Sequence, residues 1–131
     1  MKMLICGGRN YAHRTFMFSC LDRIASALSI DTVIEGGATG ADQMGAQWAV
    51  IHGIPVETYP ADWDRHGKSA GPIRNRQMLA EGHPDLVVAF PDTVSRGTWD
   101  MIGAARHAGV KVWVMPEDMK EVDALGEGVF V

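Results

Sequence analysis

VIEGGATGAD, Val33 to Asp42, decides the fold. An apolar pair, Val33 and Ile34, runs into two glycines, a small-residue turn and then the start of an amphipathic stretch. That succession predicts a buried parallel strand over Thr32 to Glu35, a glycine-rich turn, and the mouth of a helix. A turn of this kind is expected to leave backbone N–H groups facing outward at the positive end of a helix dipole, where an anion can sit. Gly36, Gly37 and Gly40 permit positive φ and let a ligand approach backbone that a Cβ would shield.

The same strand-then-helix alternation extends in both directions. Upstream, Met3 to Cys6 is a short apolar run stopped by Gly7-Gly8, and Met17, Leu21, Ile24 and Leu28 then form a helical stripe. Downstream, Ala41, Met44, Trp48 and Ile51 fall at helical spacing, with Gly53 as a C-terminal cap. Pro55 to Tyr59 reads as an edge strand, because proline cannot donate to a ladder on both sides. Ala61 to Pro72 shows no periodicity. A short helix is expected over Arg74 to Glu81, the most apolar strand over Leu86 to Phe90, a helix over Thr98 to Ala108 and a fifth strand over Lys111 to Met115. The tail from Glu117 mixes acidic residues with glycines and ends in Val129-Phe130-Val131, apolar enough to dock on the body or on a second subunit of a homo-oligomer.

Helix-length crossovers between short apolar strands demand parallel pairing with right-handed connections. The fold class is therefore α/β: a single Rossmann-like, doubly wound parallel sheet of about five strands, order 3-2-1-4-5, with helices on both faces, in one domain over residues 1–131. In such sheets ligands sit at the carboxyl ends of the strands, where the winding direction reverses, here between strands 1 and 4. The loops at that edge are Gly7-Gly8-Arg9, Gly36 to Asp42 and Asp92 to Thr98, with Ala70 to Arg76 beside them; each contains glycine, arginine or both.

Composition narrows the classes of function. Of 131 residues, 47% are hydrophobic and 21% charged, ordinary for a globular protein. A net charge of −4 and the lack of a basic run argue against a nucleic-acid partner, which needs concentrated positive charge. No apolar run reaches the ~20 residues of a bilayer span, and MKMLICGG lacks the apolar region and cleavage site of a signal peptide. The two cysteines, Cys6 and Cys20, are not spaced as CxxC and are expected to be reduced. A cytoplasmic location follows as the expectation. The five histidines show no ligand spacing, so neither a metal nor a cofactor is called for.

Individual residues carry competing readings. The glycine turn does not fit GxGxxG, so no dinucleotide fingerprint is present. Asp42 either serves as a favourable charge in the first turn of its helix or binds a ribose hydroxyl or orients an arginine. In SAGPIRNRQM, Ser69 to Met78, proline opens a helix whose first turn would carry Arg74, Asn75 and Arg76, against the dipole. Either a bound phosphate resolves that placement, or an acidic neighbour such as Asp62 or Asp64 does. Trp63, His66 and Trp99 lie in or beside these loops, where aromatics can stack on a base, whereas Trp48 and Trp113 read as core.

GGRN (Gly7 to Asn10), GGATGAD, AGPIRNRQM (Ala70 to Met78), VVAFP (Val87 to Pro91) and RGTWDMI (Arg96 to Ile102) together resemble the YspA-like branch of the SLOG superfamily, found in bacteria and their phages. The resemblance runs from residue 4 to about 115. It implies a Rossmann-like sheet that binds nucleotides or nucleotide-derived ligands. The related LOG enzymes hydrolyse the N-glycosidic bond of nucleoside monophosphates and carry PGGxGTxxE after a helix bearing a functional arginine. Gly97 and Thr98 match the GT, and Arg74 or Arg76 is placed like the arginine. The glutamate position holds Met101, with Asp100 one residue earlier, and Pro91 is followed by DTVSR, so the pattern for hydrolysis is incomplete. The related DprA proteins carry GID after a small-residue turn, to which Gly40-Ala41-Asp42 is similar, and bind single-stranded DNA.

The expected function is binding of a nucleotide, or of an ADP-ribose-like small molecule, as a sensor or carrier domain. The expected ligand contacts are Gly7, Gly8, Arg9, Gly36, Gly37, Ala38, Thr39, Gly40, Asp42, Arg74, Asn75, Gly97 and Thr98. If a reaction occurs, N-glycosidic hydrolysis is the first alternative, with Asp42, Asp100 and Arg74 as the catalytic candidates. An accessory role in single-stranded DNA processing is the second.

Overall fold

The computed structural model describes residues 1–127; the apolar tail at Val129 to Val131 lies outside the described residues. Five strands form one parallel sheet: β1 (Lys2–Gly7), β2 (Thr32–Glu35), β3 (Val56–Thr58), β4 (Leu86–Phe90) and β5 (Lys111–Val114). Their order is β3-β2-β1-β4-β5, the order expected from the sequence. β1 pairs with β2 on one side (Leu4 opposite Ile34) and with β4 on the other (Gly7 opposite Phe90). The winding direction therefore reverses between β1 and β4. The two central strands are the most apolar because water reaches neither of their faces.

Alternating residues of the strands feed two cores. On one face Met3, Ile5, Val33, Val88 and Trp113 pack against α1 (Arg14–Ala27), α2 (Ala41–Ile51) and α6 (Met119–Glu127). On the other, Leu4, Cys6, Ile34, Val87 and Ala89 pack against α4 (Ala70–Gly82) and α5 (Arg96–His107). Both cysteines are free and buried, and no disulfide is formed. Among the described residues no helix is long and apolar enough to cross a membrane.

Four local differences from the sequence reading have physical causes. The unperiodic stretch 61–72 is not a loop throughout: α3 (Trp63–His66) and a 3-10 turn (Gly67–Ser69) lead into α4 without burying any residue of their own, so no apolar stripe marks them. α4 begins at Ala70 rather than Arg74. Pro72 sits in its first turn, where an amide hydrogen has no intrahelical partner to lose. In α2 the buried face is Ala41, Asp42, Gly45, Trp48 and Ala49, and Ile51 points outward. Finally, α6 forms where no helix was expected. Val122 is fully buried and Met119 and Leu125 pack beside it, but the acidic residues and glycines around them hide the stripe.

Candidate functional site

The loops after β1, β2, β3 and β4 stand along one edge of the sheet, and the first two are locked together. Ala41 N donates to Gly8 O at 3.1 Å, and the Thr39 hydroxyl donates to Arg9 O at 3.1 Å. Gly40 makes this possible. It adopts φ 76°, and a Cβ there would overlap the carbonyl oxygens of Gly8 and Arg9.

The glycine turn itself does not face outward as expected. Gly36 N and Ala38 N both donate to Asp42 Oδ2 at 3.2 Å, and Gly37 N donates to Glu35 Oε2 at 3.0 Å. The anion seated in this turn is thus the chain's own Asp42, reaching back from the first turn of α2. Among the described residues, Thr39 N and Gly40 N make no hydrogen bond.

Burial of these carboxylates sets their charge states. Asp42 is only 5% exposed, and burial pushes its carboxyl up to about 6 against the pull of the Ala38 and Gly36 amides and of Arg74. Glu35 ends β2 beside it and is raised for the same reason, with Gly37, Thr58 and Arg74 opposing. Cys6, in the strand beneath, is a neutral thiol: burial first, then the charge of Asp42, drive it far above its usual range.

Arg74 reaches across from α4 and lays its guanidinium over Gly36, where a side chain would collide with it. Nη1 donates to Gly36 O at 2.5 Å and more weakly to Tyr59 O at 3.5 Å, and Nε donates to Asn75 Oδ1 at 3.1 Å. Among the described residues it enters no ion pair. Burial lowers its proton affinity, Asp42 and Glu35 draw it back up, and the positive charge of Arg9 adds to the fall. Arg9 faces the same space, with its guanidinium carbon 4.9 Å from the centroid of the Trp63 ring. Together the Gly36–Thr39 turn, Pro60, Ala61, Trp63 and the two arginines enclose an open cleft of about 330 Å³.

The remaining sequence candidates lie elsewhere. Gly7 packs against Phe90 and Ala41, and Gly8 is pressed against the Asp92 carboxylate. Asp92 in turn accepts from Asn10 N at 3.2 Å and from the Ser95 hydroxyl at 3.1 Å. The Gly8–Asn10 loop is therefore a ridge. It separates the cleft from a second open space of about 380 Å³ at the β1/β4 reversal, lined by Asn10 to His13 and Pro91 to Val94. Asn75 is 3% exposed and ties α4 to α5, donating to Gly97 O at 3.1 Å and to Asp100 Oδ2 at 3.0 Å. Arg76 pairs with Asp100 at 3.0 Å. Burial raises the Asp100 carboxyl, but the hydrogen bonds from Arg76 and Asn75 outweigh it and hold it below its usual range. Thr98 is buried in the first turn of α5. Asn75, Gly97 and Asp100 thus make up a helix–helix joint with Arg76, and neither they nor Thr98 line the cleft. Glu35, Pro60 and Ala61 were not singled out in the sequence. The one available signal was Glu35, a lone carboxylate closing an otherwise apolar strand.

A family model described as the YspA, cpYpsA-related SLOG family matches residues 1–66, the span that carries Arg9, the glycine turn, Asp42 and Trp63. The chain is also similar to the gene 61 protein of Mycobacterium phage D29, 35% identical over 85% of this chain and 93% of that protein.

Proposed function

The chain belongs to the YspA, cpYpsA-related SLOG family, and from that premise we propose that its cleft binds a nucleotide or nucleotide-derived ligand through a phosphate group, as a sensor or carrier domain. The observation that carries this reading is the pair of guanidiniums, Arg9 and Arg74, that face one glycine-walled cleft with no carboxylate ion pair among the described residues. A partly buried arginine without an ion-pair partner stores desolvation cost that an arriving anion relieves, and its planar fork suits phosphate. The cleft volume of about 330 Å³ falls within the range of small-ligand sites.

The test is a thermal-shift screen with AMP, ADP, ATP, GMP, NAD and ADP-ribose, each mixture then separated by chromatography to look for free base. A ligand at ~100 times its dissociation constant adds ~2.7 kcal/mol of stability. A shift with intact ligand, lost in Arg74→Ala, supports the binding reading. No shift with any ligand overturns it.

One observation favours N-glycosidic hydrolysis as a second reading. Asp42 lies behind the Gly36–Ala38 turn that walls the cleft, hydrogen-bonded to its amides, with a carboxyl raised to about 6, near the range in which a general acid or base works best. Release of free base by the wild type, abolished in Asp42→Asn and retained in Asp100→Asn, would move the assignment from carrier to hydrolase.

A further inference from the structure

Trp63 is the first residue of α3, and the residue is 46% exposed although it lines the cleft. Neither α3 nor the 3-10 turn after it buries a residue, so the indole does not anchor this segment in the core. One edge of the ring comes near Gly71 of α4, where an added Cβ would stand 3.4 Å from its Cη2. Over its face lies the Arg9 guanidinium, 4.9 Å from the centroid. Among the described residues, the Arg9 side chain has no hydrogen bond and no ion pair, and it rests on the Trp63 ring. A guanidinium is a flat, delocalised cation, and it covers an indole face much as a heterocyclic base would.

We infer that the Trp63 face is the base-stacking platform of the cleft, covered in the ligand-free chain by Arg9, and that its ligand is a phosphate ester carrying an aromatic heterocycle. Resting on the phosphate-binding reading above, the inference adds what occupies the other end of the cleft. An incoming base takes the indole face, and Arg9, released from it, joins Arg74 around the phosphate. The same displacement explains why an exposed arginine would be stacked on a tryptophan within a cleft that already contains a second cation. Arg9 rests there facing Arg74, whose charge Asp42 and Glu35 partly offset, until an anion arrives between the two guanidiniums.

The experiment compares AMP, GMP, CMP and UMP with ribose 5-phosphate, which keeps the phosphate and sugar and lacks the base. Affinities are measured by titration calorimetry for the wild type, Trp63→Ala and Trp63→Phe. Stacking on an aromatic ring predicts at least one nucleotide bound ~5–100-fold more tightly than ribose 5-phosphate by the wild type. In Trp63→Ala that gap closes to within about twofold while ribose 5-phosphate affinity stays put, and Trp63→Phe keeps most of it. Thermal melts of the two variants check that the fold is retained, as the absence of buried residues in α3 leads one to expect. A gap that persists in Trp63→Ala, or a wild type that does not distinguish nucleotides from ribose 5-phosphate, overturns the platform and leaves the phosphate site standing. Failure of every probe to bind overturns both.

Discussion

Asp42 and Arg74 flank the same glycine, Gly36, yet the carboxylate spends its hydrogen bonds on backbone amides and the guanidinium on backbone carbonyls. Among the described residues neither forms an ion pair; Asp42 is buried in the turn, and Arg74 alone of the two lines the cleft. For Asp42 the consequence is a stability that depends on pH. Its carboxyl is raised in the folded chain to about 6 from 3.8, so the folded state holds the proton more tightly than the unfolded one. Stability associated with this proton is complete below pH ~4 and is lost as pH rises to ~6, by roughly 3 kcal/mol. Glu35 contributes in the same direction. Urea melts from pH 4 to 7 should show the wild type losing about that much relative to Asp42→Asn; parallel profiles would refute the assignment. Arg74→Lys keeps the charge but not the fork that spans Gly36 O and Asn75, and should weaken phosphate-ligand binding by at least ~10-fold in calorimetry. Of this constellation, the sequence displayed Asp42, Arg74 and the glycines. It could not show that Asp42 turns inward to fill the turn, because that depends on the angle at which α2 leaves β2.

Whole elements were legible where burial imposes a period. β1, β2 and β4 announce themselves as apolar runs because both their faces are covered, and α1 as a stripe because it packs one face into a core. α3 was invisible for the converse reason: it buries nothing, and it is capped by the Asp62 carboxylate accepting from Arg65 N at 3.1 Å. The start of α4 was misplaced because Gly71 and Pro72 look like breakers, although both are tolerated in a first turn. The glycines of two elements give opposite expectations under one substitution. Gly40→Ala forces a side chain into positive φ and against the Gly8 and Arg9 carbonyls, and should cost at least ~1–2 kcal/mol. Gly103→Ala, in an exposed turn of α5 with no atom within 4 Å of the new Cβ, should instead stabilise by ~1 kcal/mol. Thermal melts of the two variants decide it, since a loss in both would mean that α5 carries a close contact at Gly103.

At the scale of the molecule, the cleft and the packing that supports the sheet are drawn from different parts of the chain. The cleft uses the loops after β1, β2 and β3 together with Trp63 of α3 and Arg74 of α4. α6 lies against α1, with Val122 in the core, Trp113 Nε1 donating to Glu121 at 2.7 Å and Arg23 paired with Asp123. Among the described residues, none of α1 or α6 lines the cleft. The parallel, doubly wound sheet was readable from the βα alternation, and the expected order 3-2-1-4-5, one of the few windings that chirality leaves, is the one observed. The contribution of α6 was not readable, since one buried valine among acidic residues sets no period. This separation predicts that stability and binding can be altered independently. Val122→Ala removes two buried carbon groups and should lower stability by about 2 kcal/mol, or roughly 6–10 °C in melting temperature. The rise in melting temperature produced by a saturating nucleotide should survive in that variant at its wild-type size. Arg74→Ala should do the reverse, keeping the ligand-free melting temperature within a few degrees and losing the rise. If Val122→Ala also abolished the rise, the α1–α6 layer would have to be coupled to the glycine turn through the packing of α2, and the site could no longer be treated as a feature of the loops alone.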